Sequence, residues 1–368
     1  MNYVSKLTDV LSDDLPDWHK ARLKFMARFV GSLLKLSTVN FSQLALSLKP
    51  GVKTASNHRR IQRFMAGFSF DFDAFGRLLL RLLPQKTGLV VSMDRTNWQF
   101  GETQINVLMI GICRNGTCFP VVWRLLGKAG NSNTEERIAL TRRFLKLVDP
   151  GDIRAFVADR EFIGKEWLGY LKSESVPFFI RIRKNTNVGT EKTAASTLFS
   201  DLKVGESRTL TSRTLPGEKQ KVLGHSLHMV GLKYIGRSGE PEHLLLVCPE
   251  RPHRALDYYR RRWGIETLFA ALKSRGFDLE ATHLTGEKRL EKLLGLLALA
   301  FAWSQLVGEW RHQRNPLKIK NHGRREKSLF RYGLDYLRKI MLNLAEQQEE
   351  FLICLQALID PRKFLSRT

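Results

Sequence analysis

Two short apolar runs that each stop at an acid constrain this chain more than any other feature. GLVVSMD ends at Asp94 and IRAFVAD ends at Asp159. Runs of this length and texture suit strands buried on both faces, with the acid at the edge where burial ends. Between them lie INVLMIGIC and CFPVVWRLL, joined by RNGT, whose Asn-Gly pair suits a tight hairpin turn. NSNTEERIALTRRFLKLV reads as a helix with Asn133 or Thr134 as N-cap and Leu140, Phe144 and Leu147 on one face. GKEWLGYLKSE is a second helix and VPFFIRIRK a fifth strand. The order β-β-β-α-β-α-β, hairpins first and crossovers later, predicts an α/β fold with a mixed sheet in which strands one and four are neighbours. Asp94 and Asp159 then stand at adjacent strand ends.

The flanks have a different texture. Residues 1–85 read as helical: ARLKFMARFVGSLLKL steps by three and four, and NFSQLALSL and SNHRRIQRFMAG lie either side of Pro50-Gly51. In the second of these, Ile61, Phe64 and Met65 are expected to face the core, Arg59, Arg60 and Arg63 to face out, and Ser56 or Asn57 to cap the start. The pair suits a DNA-binding helix-turn-helix and an ordinary helical hairpin equally well. Residues 186–250 alternate apolar and polar with Gly-rich joints, the pattern of a small antiparallel β module inserted into the α/β core. Arg254 to Ser274 reads as one long helix stopped by Gly276, with further helices after it. The expected division is therefore 1–85, an N-terminal helical DNA-binding or dimer-contact region; 86–185, the first part of the core; 186–250, the insertion; 251–345, the second part of the core; and 346–368, a C-terminal tail.

Composition narrows the partner. The 368 residues carry a formal charge of +24, spread along the chain, and 43% are apolar. That is a folded protein with a surface suited to a polyanion, nucleic acid before anionic membrane. LLGLLALAFAW is too short to span a bilayer and MNYVSKLTDVLSDD has no apolar signal region, so a cytoplasmic protein with no membrane association is expected. Cys113, Cys118, Cys248 and Cys354 suggest no disulfide framework and no zinc site; buried thiols in a reducing compartment are the expectation.

A third acid, Glu266, lies in YYRRRWGIETLFAALK. Three carboxylates brought together repel one another unless cations sit among them. Oxygen-only ligands suit Mg²⁺ or Mn²⁺, and two such ions about 3.5–4 Å apart can clamp both sides of an in-line displacement at phosphorus. On a helical wheel Tyr259, Arg262, Glu266 and Lys273 share a stripe about 60° wide, apart from the core-facing Ile265, Leu268, Phe269 and Leu272. An Arg262–Glu266 pair would stabilise by only ~0.2–0.5 kcal/mol and leaves Tyr259 and Lys273 unexplained.

Tyr259-x2-Arg262-x3-Glu266-x6-Lys273 resembles the Y-R-E-K signature of bacterial insertion-sequence DDE transposases of the insertion-sequence-four family. Asp94 in MDRTNW, Asp159 in ADREF and the segment GNSNTEER resemble that family's blocks, and the resemblance covers roughly residues 50–340. It implies an RNase H-like mixed sheet with flanking helices, interrupted by a β-rich insertion. It implies a catalytic, metal-binding triad of Asp94, Asp159 and Glu266 with two Mg²⁺ ions, for which Mn²⁺ can substitute. It further implies cleavage at transposon ends and strand transfer into target DNA, often through a hairpin, by a homodimer that synapses two ends. Tyr259, Arg262 and Lys273 carry over as DNA contacts, Trp263 beside them is a stacking candidate, and Arg59, Arg60 and Arg63 are candidates outside the active site. Hairpin-forming relatives stack an aromatic from the insertion on a flipped base; this insertion has no Trp, leaving Tyr234, Phe199 or a histidine. The competing expectations are an RNase H-like nuclease or recombinase without strand transfer, and a non-catalytic DNA-binding derivative.

Overall fold

The computed structural model describes residues 2–189, 192–211, 221–321 and 323–366. Helices α1 (Tyr3–Asp14), α2 (Lys20–Leu36), α3 (Phe41–Ser47), α4 (Thr54–Gly67) and α5 (Phe72–Arg81) come first. In α4 Ile61, Phe64 and Met65 are buried while Arg59, Arg60 and Arg63 are exposed, as the apolar spacing requires. The cap differs from the expectation. The helix begins at Thr54 after Lys53 with no side-chain cap. Asn57 is instead buried, and its Nδ2 donates to the carbonyls of Ala45 (3.0 Å) and Lys49 (3.1 Å) at the end of α3. It ties off the carbonyls that the previous helix leaves without partners.

Next come β1 (Leu89–Phe100), β2 (Thr103–Arg114), β3 (Thr117–Leu125), α6 (Thr134–Leu145), β4 (Ile153–Ala158), α7 (Lys165–Ser173) and β5 (Phe178–Arg181). The turn between β2 and β3 places Asn115 at φ 51° and Gly116 at φ 84°, the pair of left-handed positions that a two-residue hairpin demands. Asn133 and Glu136 close a capping box at the start of α6. The 186–250 segment contributes β6 (Asn187–Val188), β7 (Thr193–Ala194), β8 (Ser207–Leu210), β9 (His228–Ile235) and β10 (Pro241–Cys248). The second half of SRTLTSRTL falls among residues 212–220, outside the described residues.

Eight strands form one mixed sheet in the order β3-β2-β1-β4-β5-β10-β9-β8. β1 runs antiparallel to β2 and parallel to β4, and β4 runs parallel to β5. β10 adds antiparallel to β5, pairing Leu246 with Arg181 and Val247 with Ile180. The β-rich segment is thus continuous with the central sheet, whereas local alternation alone suggests a separate module. A second difference concerns β1. The continuous apolar run ends at Asp94, yet the strand runs on to Phe100 because residues 95–99 pair residue by residue with β2. Sheet pairing supplies the backbone partners that hydrophobic burial does not.

Helices α8 (Ala255–Arg260), α9 (Trp263–Leu272), α10 (Glu287–Arg314), α11 (Leu329–Leu342), α12 (Gln348–Ile359) and α13 (Pro361–Ser366) complete the chain. α10 is long and apolar enough by length and composition to cross a bilayer, but 94% of its apolar window is buried within the fold, so it serves as the core helix. α10 and α11 cross backbone to backbone at Gly308 and Gly333, where an added Cβ would meet a carbonyl oxygen at 1.8 Å from either side. The stretch expected as a tail carries α12 and α13, with Phe351, Cys354 and Phe364 buried. Cys113 and Cys118, expected as thiols, are joined in a disulfide across the β2–β3 pair; Cys248 and Cys354 are buried free thiols.

Candidate active site

The register of β1 and β4 pairs Met93 with Ala158, so the next residue of each strand is an acid: Asp94 and Asp159. Neighbouring parallel strands lie about 4.8 Å apart, which brings these two residues side by side at one edge of the parallel pair. Each carboxylate accepts a 2.7 Å hydrogen bond from the next backbone N–H, Arg95 and Arg160. The two environments then diverge. The Asp94 side chain is 15% exposed and that of Asp159 31%. Burial pushes the Asp94 carboxyl up to about 7, against the pull of Arg262 and the Arg95 N–H; nearby Glu161 and Asp159 push the same way as burial.

Glu266 arrives from α9. The expected single helix is broken here: α8 ends at Arg260, the next N–H groups of Arg261 and Arg262 bond three residues back, and α9 starts at Trp263. This tighter turn rotates the flanking residues relative to an ideal wheel. The outcome corrects the expected non-core stripe, because Tyr259 and Arg262 are 8% and 9% exposed and lie against the sheet. Gly264 permits the approach, since a Cβ there would meet the Thr117 carbonyl at 2.9 Å.

Arg262 organises the cluster. One terminal nitrogen donates to Asp94 Oδ2 at 3.0 Å and the other to Glu266 Oε1 at 2.6 Å. Its Nε is buried with no partner among the described residues. The guanidinium lies over the Tyr259 ring at 5.6 Å, and the Tyr259 hydroxyl donates to Asp159 Oδ1 at 3.2 Å. Burial raises the Tyr259 phenol well above its ordinary value. Burial alone would weaken the charge on Arg262, but Tyr259, Asp94, Asp159 and the Glu266 hydrogen bond outweigh it and hold the guanidinium firmly protonated. Asp94 and Glu266 therefore sit on two prongs of one cation, and Asp159 is linked to the same cation through a phenol.

The donors are all carboxylate oxygens, the type that suits a hard divalent ion. As the side chains stand, no group of three or more His, Cys, Asp or Glu among the described residues is disposed to hold a metal ion. Arg262 supplies the countercharge between Asp94 and Glu266, so the donor chemistry fits such an ion only if that guanidinium turns away.

The other expected residues divide. Lys273 Nζ donates to the Asn97 carbonyl at 2.9 Å, pairs with Glu280 at 2.8 Å and lies over the Trp98 ring at 5.5 Å, on the stretch of β1 beyond Asp94. Trp263 is 53% exposed, with the Arg237 guanidinium 5.7 Å from its ring. Phe199 is wholly buried, which removes it as a stacking candidate, and the Tyr234 hydroxyl donates to Glu242. Arg59, Arg60 and Arg63 lie apart, on α4.

Residues not singled out from sequence also belong here. Arg181, last in β5, places Nη1 3.8 Å from Asp159 Oδ1. Arg95 joins Glu161 through two 3.2 Å bonds and reaches Asn131 at 3.1 Å and Asn106 at 3.2 Å, which tethers the 129–134 loop beside Asp94. Arg181 carries the same signal that marked the acids, a charge closing an apolar strand; the Arg95 network carried none, because its partners come from three separate segments.

The family model described as the transposase DDE domain matches residues 85–303. No curated protein matches the chain. The solved structure described as "Cryo-EM structure of piggyBac transposase synaptic complex with hairpin DNA (SNHP)" aligns over 100% of this chain and 83% of that one, with 11% identity and a TM-score of 0.48.

Proposed function

This chain belongs to the transposase DDE domain family, and we propose that it cuts DNA at the ends of a mobile element and joins them to target DNA, using Asp94, Asp159 and Glu266 on an RNase H-like core. The observation that carries the reading is the juxtaposition of Asp94 and Asp159 at neighbouring parallel strands, with Glu266 tied to Asp94 through one shared guanidinium. The Y-R-E-K spacing supports a place for the chain in the insertion-sequence-four group of that family.

In this reading Asp94, Asp159 and Glu266 would hold two Mg²⁺ ions, whose chemistry would be Lewis acidity toward the attacking and leaving oxygens. The chain's own residues do the rest. Arg262 bridges Asp94 and Glu266 until DNA arrives and then turns to a phosphate next to the scissile bond, a trade of one charge-assisted partner for another. Tyr259 keeps Asp159 oriented through its hydroxyl, and Lys273 holds the backbone on the far side of Trp98. Trp263, exposed beside Arg262, offers a face to an unpaired base. A homodimer holding two ends and a cytoplasmic setting belong to the same proposal.

The test is to incubate the protein with Mg²⁺, linear DNA carrying the repeats that flank its gene, and a circular target. Joined products support transposition. Nicked or cut DNA without joining favours an RNase H-like nuclease, and binding without any cut leaves a non-catalytic DNA-binding protein.

A further inference from the structure

A cavity of about 680 Å³ lies outside the carboxylate cluster, between α4 and the segment 281–289 that leads into α10. His58, Arg59, Gln62 and Arg63 line it from α4, and His283 and Arg289 face them. No Asp or Glu lines it. Arg59, Arg63 and Arg289 are exposed and form no ion pair among the described residues. Three exposed guanidiniums on one cleft, with no carboxylate among its lining residues, give it a net positive field that attracts an anionic ligand.

The cavity is joined to the cluster along β1. His283 stacks on Phe100 with ring centroids 5.0 Å apart. Phe100 ends the strand that holds Asp94, and Lys273 grips the same strand at Asn97 and Trp98 between them. The six steps along the strand from Asp94 to Phe100 span ~20 Å at ~3.3 Å each. Along a duplex at ~3.4 Å per base pair that is ~6 base pairs.

We infer that the cleft between α4 and residues 281–289 is a second binding site, for the sugar–phosphate backbone of duplex DNA about six base pairs from the cleaved bond, with Arg59, Arg63 and Arg289 as its phosphate ligands. The assignment rests on the transposase reading and adds to it a grip shared by two parts of the chain far apart in sequence. It also separates three arginines that sequence treats alike, because Arg60 lies outside the cleft. Phosphate recognition here is by charge and carries no sequence information of its own.

Binding of a 30-base-pair duplex DNA is measured in EDTA, where cleavage is silent, across a KCl series. The variant Arg59→Ala/Arg63→Ala/Arg289→Ala is expected to lower the log–log salt slope by about 2–3, at ~0.9 per lost phosphate contact, with its melting temperature unchanged. The corresponding triple lysine variant is expected to keep the slope. With the element's own ends, backbone protection ~6 base pairs from the cut should vanish in the alanine variant alone. An unchanged slope in the alanine variant, an equal loss in the lysine variant, or a slope change seen on duplex RNA and not on DNA overturns the assignment. Cleavage in Mg²⁺ is scored separately: a wild type that binds as expected but never cuts defeats the transposase reading and leaves the cleft as a DNA site.

Discussion

The carboxylate cluster and the α4 cleft are both rich in arginine, but they treat charge in opposite ways. In the cluster Arg262 is almost buried, and both of its terminal nitrogens meet carboxylates. In the cleft Arg59, Arg63 and Arg289 stand in solvent without a carboxylate. Burial decides the difference. An unpaired buried ion costs several kcal/mol, so Arg262 and Asp94 must have internal partners before any ligand reaches them. Water screens an exposed guanidinium at little cost, so the cleft can leave its charge for a partner to meet. The first region is set up to exchange one internal partner for another, the second to gather a polyanion.

The variants that should separate the two regions most strongly are Asp94→Ala, Asp159→Ala and Glu266→Ala. Each is expected to cut DNA cleavage by more than roughly 100-fold, beyond the usual effect of an outer partner, while duplex binding in EDTA stays near wild type. Full turnover by any one of them would remove that residue from the chemistry. The cleft variant should behave in reverse. Losing three phosphate contacts changes affinity by roughly 40-fold between 50 and 200 mM salt, at ~0.9 per contact, a difference that filter binding resolves.

Arg262→Ala tests the exchange itself. In the absence of DNA it should bind Mn²⁺ roughly 2–10-fold more tightly than wild type, the equivalent of a hydrogen-bonded pair at about 0.5–1.5 kcal/mol, as read by electron paramagnetic resonance of the free ion. Weaker Mn²⁺ binding would mean that Arg262 supports the carboxylates and does not compete for them. The smallest effect on DNA is expected from Lys292→Met. The buried Lys292 ammonium donates to the carbonyls of Met65 and Phe68 where α4 ends, fastening that wall of the cleft to α10. Removing it should lower stability by about 1–3 kcal/mol, seen as a lower melting temperature, and weaken duplex binding only a few-fold. Loss of DNA binding as large as in the cleft variant would show that the arginines act through wall position and not through phosphate.

Much of the central sheet was legible because apolar runs, the Asn-Gly turn and the Asn133 cap each report on their own few residues. Asp94 and Asp159 could be placed side by side from strand order alone. What escaped was set by partners distant in the chain. The reach of β1 to Phe100 depends on β2, and the attachment of β10 depends on the short exposed edge of β5. The break at Arg261 follows from packing Gly264 against the β2–β3 turn, which no wheel drawn on a continuous helix contains. That break explains why Tyr259 and Arg262 are buried partners of the acids in this structure, a placement that the spacing of the stripe does not contain. Asn57 was recognised as a capping residue but assigned to its own helix, since its true acceptors, Ala45 and Lys49, lie across the Pro50-Gly51 turn.

The most direct test of the central claim is to replace Mg²⁺ by Fe²⁺ in the DNA-bound protein, add peroxide and ascorbate, and map where hydroxyl radicals cut the polypeptide. A shared ion site predicts three clusters of cuts, around residues 94, 159 and 266, all suppressed by excess Mg²⁺. Cuts that miss one of the three positions, or that persist unchanged under Mg²⁺, would contradict it.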